Sequence, residues 1–253
     1  MLVIDVGNTF IKAAIIDDGG GIAEMLYLPT EDCLRENKYF PLLKIKEVPG
    51  NSIAIASVRK PALEIIKNEA LILLGKNPFI VDITTDTGIR NLYLTPHTLG
   101  IDRLVTAAAA WHLYRQDDRP VITVDMGTAT TIDLISVNGE FMGGIIAPGL
   151  ESALAGLLGK APELPNVLIE KIERLIGRTT AECMSSGAIA AHAAMIRGLT
   201  DMIDAQAVVV VTGGMAAVIS NWLDERYIID EDLMFKGLKI IYEINHISLK
   251  NTV

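Results

Sequence analysis

Two short stretches carry the residue types that phosphate and metal chemistry require. Asp5-Val6-Gly7-Asn8-Thr9 follows the apolar run Leu2-Val3-Ile4, and Asp125-Met126-Gly127-Thr128-Ala129-Thr130-Thr131 follows Val121-Ile122-Thr123-Val124. Each reads as a strand that ends in Asp-x-Gly, turns, and returns as a second strand. The glycine of such a turn lets backbone N–H groups approach an anion closely. The carboxylate before it can hold Mg²⁺ that also binds phosphate oxygens. One copy would serve equally well as a plain hairpin turn in which Asp and Asn bond their own backbone. Two copies, 120 residues apart in a 253-residue chain, point instead to a duplicated unit with phosphate bound at facing turns.

The segments around each copy supply the elements that must position these residues. In the first copy, strands are expected over residues 10–17 and 22–28, with the turn Asp17-Asp18-Gly19-Gly20-Gly21 between them. The polar stretch from Pro29 to Asn51 reads as irregular with one helix. Residues 52–58 and 78–83 read as buried strands with the helix Ala62–Leu74 between them, a βαβ unit. A helix is expected from Thr98, as its cap, to Arg115. In the second copy, residues 120–149 repeat the strand, turn, strand pattern, with Asn138-Gly139 as a hairpin turn. Helices follow over 150–158 and 179–204, then the buried strand 208–214, a helix over Met215–Leu223, a short strand from Tyr227 and a last helix over 233–245.

Composition narrows the class. Half of the residues are apolar and 21% charged, so the chain can bury a core and is not disordered. The net charge of −9 argues against nucleic acid or an anionic membrane surface as the main partner. Two cysteines, Cys33 and Cys183, give no disulfide framework, and no Cys spacing suggests zinc. The start, MLVIDVGNT, has no basic segment and meets Asp5, and no apolar run approaches the ~18 to 20 residues that cross a bilayer. The expectation is a cytoplasmic protein. Gly156-Leu157-Leu158-Gly159-Lys160-Ala161 lacks the earlier glycine and final hydroxyl of a P-loop, and no Gly-x-Gly-x-x-Gly opens a helix.

Duplicated Asp-x-Gly hairpins match the architecture of sugar kinases, actin and the Hsp70 ATPase. The expected fold is therefore α/β and actin-like: duplicated RNase H-like domains with mixed sheets flanked by helices, divided as 1–116 and 117–253. Five blocks in order add a more specific resemblance. They are Asp5-Val6-Gly7-Asn8-Thr9, Gly100-Ile101-Asp102-Arg103, Asp125-Met126-Gly127-Thr128-Ala129-Thr130-Thr131, Gly143-Gly144-Ile145-Ile146-Ala147-Pro148-Gly149 and Gly177-Arg178-Thr179-Thr180. Nearly end to end, the sequence resembles the type III pantothenate kinases. That resemblance implies ATP-dependent phosphorylation of pantothenate to 4'-phosphopantothenate, the first step towards coenzyme A, by a homodimer that uses Mg²⁺ and a monovalent cation, K⁺ or NH₄⁺.

The resemblance also implies roles. Asp102 would be the catalytic base, Asp125 the monovalent-cation ligand, Thr128 an ATP-contacting hydroxyl and Thr180 a pantothenate contact. Asp5, Val6, Gly7, Asn8 and Thr9 would hold the ATP phosphates, with Asp5 on Mg²⁺. Gly100, Ile101, Arg103 and Tyr93 would line the acceptor side, Arg103 as partner for the pantothenate carboxylate. A carboxylate of pKa ~4 cannot deprotonate an alcohol outright, but in a loose phosphoryl-transfer transition state it need only orient the hydroxyl and take its proton late.

Each role has a plainer counterpart. Asp102 in a first helical turn is favoured by the helix dipole, Arg103 could form a structural ion pair, and Thr180 could cap a helix. Lys12 could lean towards phosphate or be an ordinary solvated lysine. Val211-Thr212-Gly213-Gly214 could seat adenosine or simply connect strand to helix. His97, His112, His192 and His246 are too scattered for a metal cluster, with loop or surface service expected for His97. Trp111 and Tyr114 read as packing or dimer-contact residues.

Two departures touch the acceptor side. Many family members carry Tyr-Asp-Asn-Pro where this sequence has Tyr93-Leu94-Thr95-Pro96, and their basic Arg-x-x-Asp/Glu region has no clear counterpart between Pro29 and Pro49. The altered Tyr93 to Pro96 segment therefore sets a kinase of another small hydroxylated acceptor beside the first function, and the resemblance itself adds a non-catalytic regulator of the Bvg accessory factor type.

Overall fold

The computed structural model describes residues 1–17, 19–38, 52–170, 172 and 174–250. They fall into two compact units, Met1–Ala109 with Leu233–Val253, and Ala110–Asp232.

The first unit is built on strands β1 (Leu2–Val6), β2 (Phe10–Ile16), β3 (Ile22–Pro29), β4 (Ile53–Ser57) and β5 (Phe79–Ile80), ordered β3-β2-β1-β4-β5. The β1, β2 and β3 strands run antiparallel to their neighbours, whereas β4 joins β1, and β5 joins β4, in parallel. Strand alternation sends Leu2, Ile4 and Val6 to one face. There they form a core with Ile11, Ala13, Ile53, Ile55, Cys33 of helix α1 (Thr30–Glu36), and Ala62, Ile66 and Ala70 of helix α2 (Lys60–Leu74). Val3 and Asp5 take the opposite face.

The second unit repeats the plan. Strands β6 (Val121–Met126), β7 (Ala129–Ile135), β8 (Glu140–Pro148), β9 (Val208–Thr212) and β10 (Tyr227–Ile229) are ordered β8-β7-β6-β9-β10. The first three are antiparallel and the last two parallel, as in the first unit. Even the irregularity recurs: register shifts between Ile15 and Ile16 in β2 and between Leu134 and Ile135 in β7. Ile122, Val124, Met126 and Ile132 form a core with Leu150 of helix α4 (Leu150–Lys160), Ile189, Ala193 and Ile196 of helix α5 (Thr180–Asp204), and Ala216 and Ile219 of helix α6 (Ala216–Ile219). Asp125 takes the face away from this core, as Asp5 does in its unit. The repeat read from the two Asp-x-Gly turns thus extends to the order of five strands in each sheet.

Several boundaries differ from the sequence reading. Helix α3 (Ile101–Tyr114) begins after Gly100, and Thr98 does not cap it. Thr98 instead closes the 3₁₀ turn Pro96–Thr98, its hydroxyl donating to the Thr95 carbonyl at 2.8 Å. The strand expected over 78–83 pairs only at Phe79–Ile80. The last helix, α7 (Leu233–Lys250), packs on β1 and β4 and crosses α3 so closely that a Cβ at Gly237 would lie 2.7 Å from the Val105 carbonyl. A cut at 116/117 would leave α7 with the second unit, whereas its contacts place it in the first. The reading of an irregular stretch up to Asn51 falls partly on residues 39–51, outside the described residues. Among the described residues no helix is long and apolar enough to cross a membrane.

The cysteines are both free, Cys33 buried and Cys183 exposed. Burial, with the Glu69 charge second, pushes the Cys33 thiol up to about 11. Since the thiolate is the nucleophile, iodoacetamide at pH 8 is expected to label Cys183 and spare Cys33 in the native protein, which peptide mass spectrometry reads directly.

In the second unit His192, almost fully buried on α5, shares a 2.8 Å hydrogen bond between its Nε2 and Thr130 Oγ1. Burial holds its pKa below the usual 6.5. The unfolded chain therefore binds the proton more readily, and this residue costs stability as pH falls below about 6.5. Melting temperatures at pH 8 and pH 5.5 are expected to differ less in His192→Gln than in the parent protein.

Candidate active site

In the first unit the Asp-x-Gly turn sits at the end of β1. Asp5 lies directly across from Lys12 of β2, so the two side chains share a face. Both are half-buried, whereas Asn8 and Thr9 of the turn are exposed. Gly7 closes the turn through its N–H to the Phe10 carbonyl at 3.0 Å. The Val6 side chain is fully buried in the core, which leaves only its backbone to face a ligand. One carboxylate beside exposed amide and hydroxyl groups suits Mg²⁺, which takes one or two carboxylates and fills its other positions with phosphate and water.

The Gly-x-Asp-Arg block forms the start of α3. Asp102 occupies the first turn and accepts the Arg103 N–H at 2.8 Å. Burial is the dominant influence and pushes its carboxyl above the usual carboxylate range, against the opposing pull of that N–H and of the Arg103 charge. Ile101 and Arg103 are both nearly buried, and Ile101 contributes packing. The Arg103 guanidinium lies 5.7 Å from the centre of the Tyr93 ring, within cation–π range. The structure thus joins two of the residues expected on the acceptor side and leaves Leu94, the departure from the family pattern, 98% exposed.

The second unit holds Asp125, Thr128 and Thr180. Asp125, at the end of β6, is flanked in register by Thr131 on β7 and Thr212 on β9. One pleat further down the strand, Thr123 has a buried Oγ1 with no hydrogen-bond partner among the described residues. A carboxylate between two hydroxyl-bearing positions is an all-oxygen donor set, which suits K⁺ rather than a soft transition metal. Val211-Thr212-Gly213-Gly214 ends β9 in a turn where Gly213 has φ +93° and sits against Asp125 Oδ1 and the Met126 N–H. Neither Thr131 nor Thr212 was readable as a neighbour of Asp125 without the strand register.

Thr180 is the first residue of α5, and Thr179 is its cap. Thr179 Oγ1 accepts the Glu182 N–H at 3.2 Å, and Glu182 Oε2 accepts the Arg178 N–H at 2.6 Å. Thr180 is exposed, and capping does not occupy its hydroxyl. Trp111 packs in the second unit, where it would crowd any side chain at Gly139, and the Tyr114 hydroxyl donates to Asp230 at 2.7 Å. His97 is exposed.

Two sheets that share a five-strand order, each presenting an aspartate beside a glycine turn, define an actin-like fold of the sugar-kinase and ATPase class. Solved structures agree: a Baf family protein from Campylobacter jejuni superposes with TM-score 0.62 at 22% identity, covering 97% of this chain and 98% of that one. The activator of 2-hydroxyisocaproyl-CoA dehydratase from Clostridium difficile superposes with TM-score 0.51 at 11% identity, over 99% and 97%. The family model for type III pantothenate kinase matches residues 1–202. The type III pantothenate kinase of Moorella thermoacetica is 33% identical over 97% of this chain and 99% of its own, and that of Zymomonas mobilis 34% identical over 96% and 92%. The chain belongs to the type III pantothenate kinase family.

Proposed function

We propose that this chain transfers the γ-phosphoryl group of ATP to the hydroxyl of pantothenate, giving 4'-phosphopantothenate and ADP, with Asp102 as general base. The observation that carries the base assignment is a carboxylate of raised pKa in the family's Gly-x-Asp-Arg block, held at a helix start by the Arg103 N–H. The acceptor oxygen attacks phosphorus, the bond from phosphorus to the bridging oxygen of ADP breaks, and the hydroxyl proton passes to Asp102. Asp5 and the Gly7-Asn8-Thr9 turn hold phosphates, and Lys12, facing Asp5 across the hairpin, adds positive charge. Thr128 supplies an ATP-contacting hydroxyl. Tyr93, Gly100, Ile101, Arg103 and Thr180 shape the acceptor side, with the Arg103 guanidinium as the partner for a carboxylate.

Asp5 would hold Mg²⁺, and Asp125 with its flanking hydroxyls would hold K⁺ or NH₄⁺. When bound, these cations offset the triphosphate charge in a chain that has no P-loop lysine. The working form is a cytoplasmic homodimer, with no nucleic acid or membrane partner. ADP release coupled to pantothenate in the presence of Mg²⁺ and K⁺ tests the assignment. Turnover that needs a different hydroxylated acceptor would transfer it to that substrate, and the absence of ATP turnover with every acceptor would return it to the regulatory reading.

A further inference from the structure

The duplication extends to a contact that neither the family assignment nor the sequence motifs include. In the first unit Thr30, the first residue of α1, is fully buried and reaches back to the Asp-x-Gly turn. Its hydroxyl donates to the Gly7 carbonyl at 2.9 Å, and its N–H donates to the Thr9 carbonyl at 2.9 Å. In the second unit the matching helix is α4, which likewise follows the third strand of its sheet. Its Ser152 hydroxyl donates to the Thr128 carbonyl at 2.7 Å, and the Gly149 N–H donates to the same oxygen at 3.0 Å. The approach is close enough that a Cβ at Gly149 would meet the Gly127 and Thr128 carbonyl oxygens. In both units, then, a hydroxyl from the helix after the third strand holds a carbonyl of the turn.

This arrangement has a directional consequence. A turn that binds phosphate through its N–H groups must keep its carbonyl oxygens aimed elsewhere, because a carbonyl swung towards the anion would repel it. A donor fixed behind the turn enforces that orientation before the nucleotide arrives. We propose that Thr30 and Ser152 are paired positioning residues for ATP, each acting through the turn it holds. The inference rests on the reading of these turns as the ATP-binding elements.

Steady-state kinetics and calorimetric titration with a non-hydrolysable ATP analogue on the full chain test it. Thr30→Val and Ser152→Ala are each expected to raise KM for ATP and weaken analogue binding about fivefold, the fold-change carried by one typical hydrogen bond. KM for pantothenate should stay within about twofold, and Thr30→Ser and Ser152→Thr should restore ATP affinity. Alanine is a good helix former, so Ser152→Ala carries the test even if Thr30→Val fails to fold. Unchanged ATP affinity in Ser152→Ala, or a fall in kcat and melting temperature with a parallel rise of both KM values, overturns the inference. Asn8→Ala and Thr128→Val separate the two levels. If they weaken analogue binding while Ser152→Ala does not, only the positioning role falls; if they leave it unchanged, the ATP-binding reading of the turns falls with it.

Discussion

Asp102→Asn is expected to slow turnover by about 10²- to 10⁴-fold, the range over which a positioned general base contributes, while raising the melting temperature at neutral pH. The two effects share one cause. Burial has pushed the Asp102 carboxyl upward despite the Arg103 N–H and charge, so the ionised form is less comfortable in the folded protein than in the unfolded chain. A carboxyl with a raised folded-state pKa binds its proton more tightly when folded. Its penalty is absent at low pH, grows as pH rises past the unfolded value of about 3.9, and is complete above the folded one. Asparagine keeps an oxygen that can accept the Arg103 N–H and carries no charge, so the variant escapes the penalty. Coupled ADP assays and thermal melts at pH 4 and pH 7.5 decide the matter. A variant that loses activity and stability together would show Asp102 to be structural, and one that keeps its activity would remove it from the chemistry.

The second large effect is expected at Gly213→Ala. A residue with a side chain at φ +93° costs about 1–3 kcal/mol. The new Cβ would also lie 2.5 Å from Asp125 Oδ1 and 2.6 Å from the Met126 N–H, where overpacking adds about as much again. Against the about 5–15 kcal/mol that holds a protein folded, this should lower the melting temperature sharply. The obstruction also falls on the proposed cation ligand. Turnover at a fixed ATP concentration should require more K⁺ than in the parent protein, and high K⁺ should recover only part of it. A variant with unaltered melting and K⁺ dependence would mean that the turn after β9 yields freely.

What could be read from the residues alone follows the range of the forces involved. The Asp-x-Gly turns and the 120-residue offset were legible because turn chemistry is local and strands of Val and Ile announce themselves. Asp102 was legible as a residue at a helix start, but its raised pKa comes from burial that no neighbouring residue encodes. Thr179 and Thr180 carry identical side chains, and only the extended backbone of Thr179 makes it the cap. Thr98 has the right chemistry for a cap but is held by Thr95 in a turn of its own. Thr212 and Thr131 became neighbours of Asp125 only once strand register was known, and Thr30 reaches Gly7 across 23 positions of chain. Packing partners at that separation leave no periodicity to find.

The placement of α7 sets an order of events during synthesis. The second unit is one continuous stretch, Ala110–Asp232, and has all its strands and helices once that stretch has left the ribosome. The first unit, although made first, still lacks the helix that packs on β1 and β4 until the segment from Leu233 onward emerges. Its sheet must therefore wait, with one apolar face uncovered, while a later portion of the chain folds ahead of it. A nascent chain stalled near Asp232 should accordingly present a protease-resistant second unit joined to a protease-sensitive first one, the reverse of the usual N-terminal-first sequence.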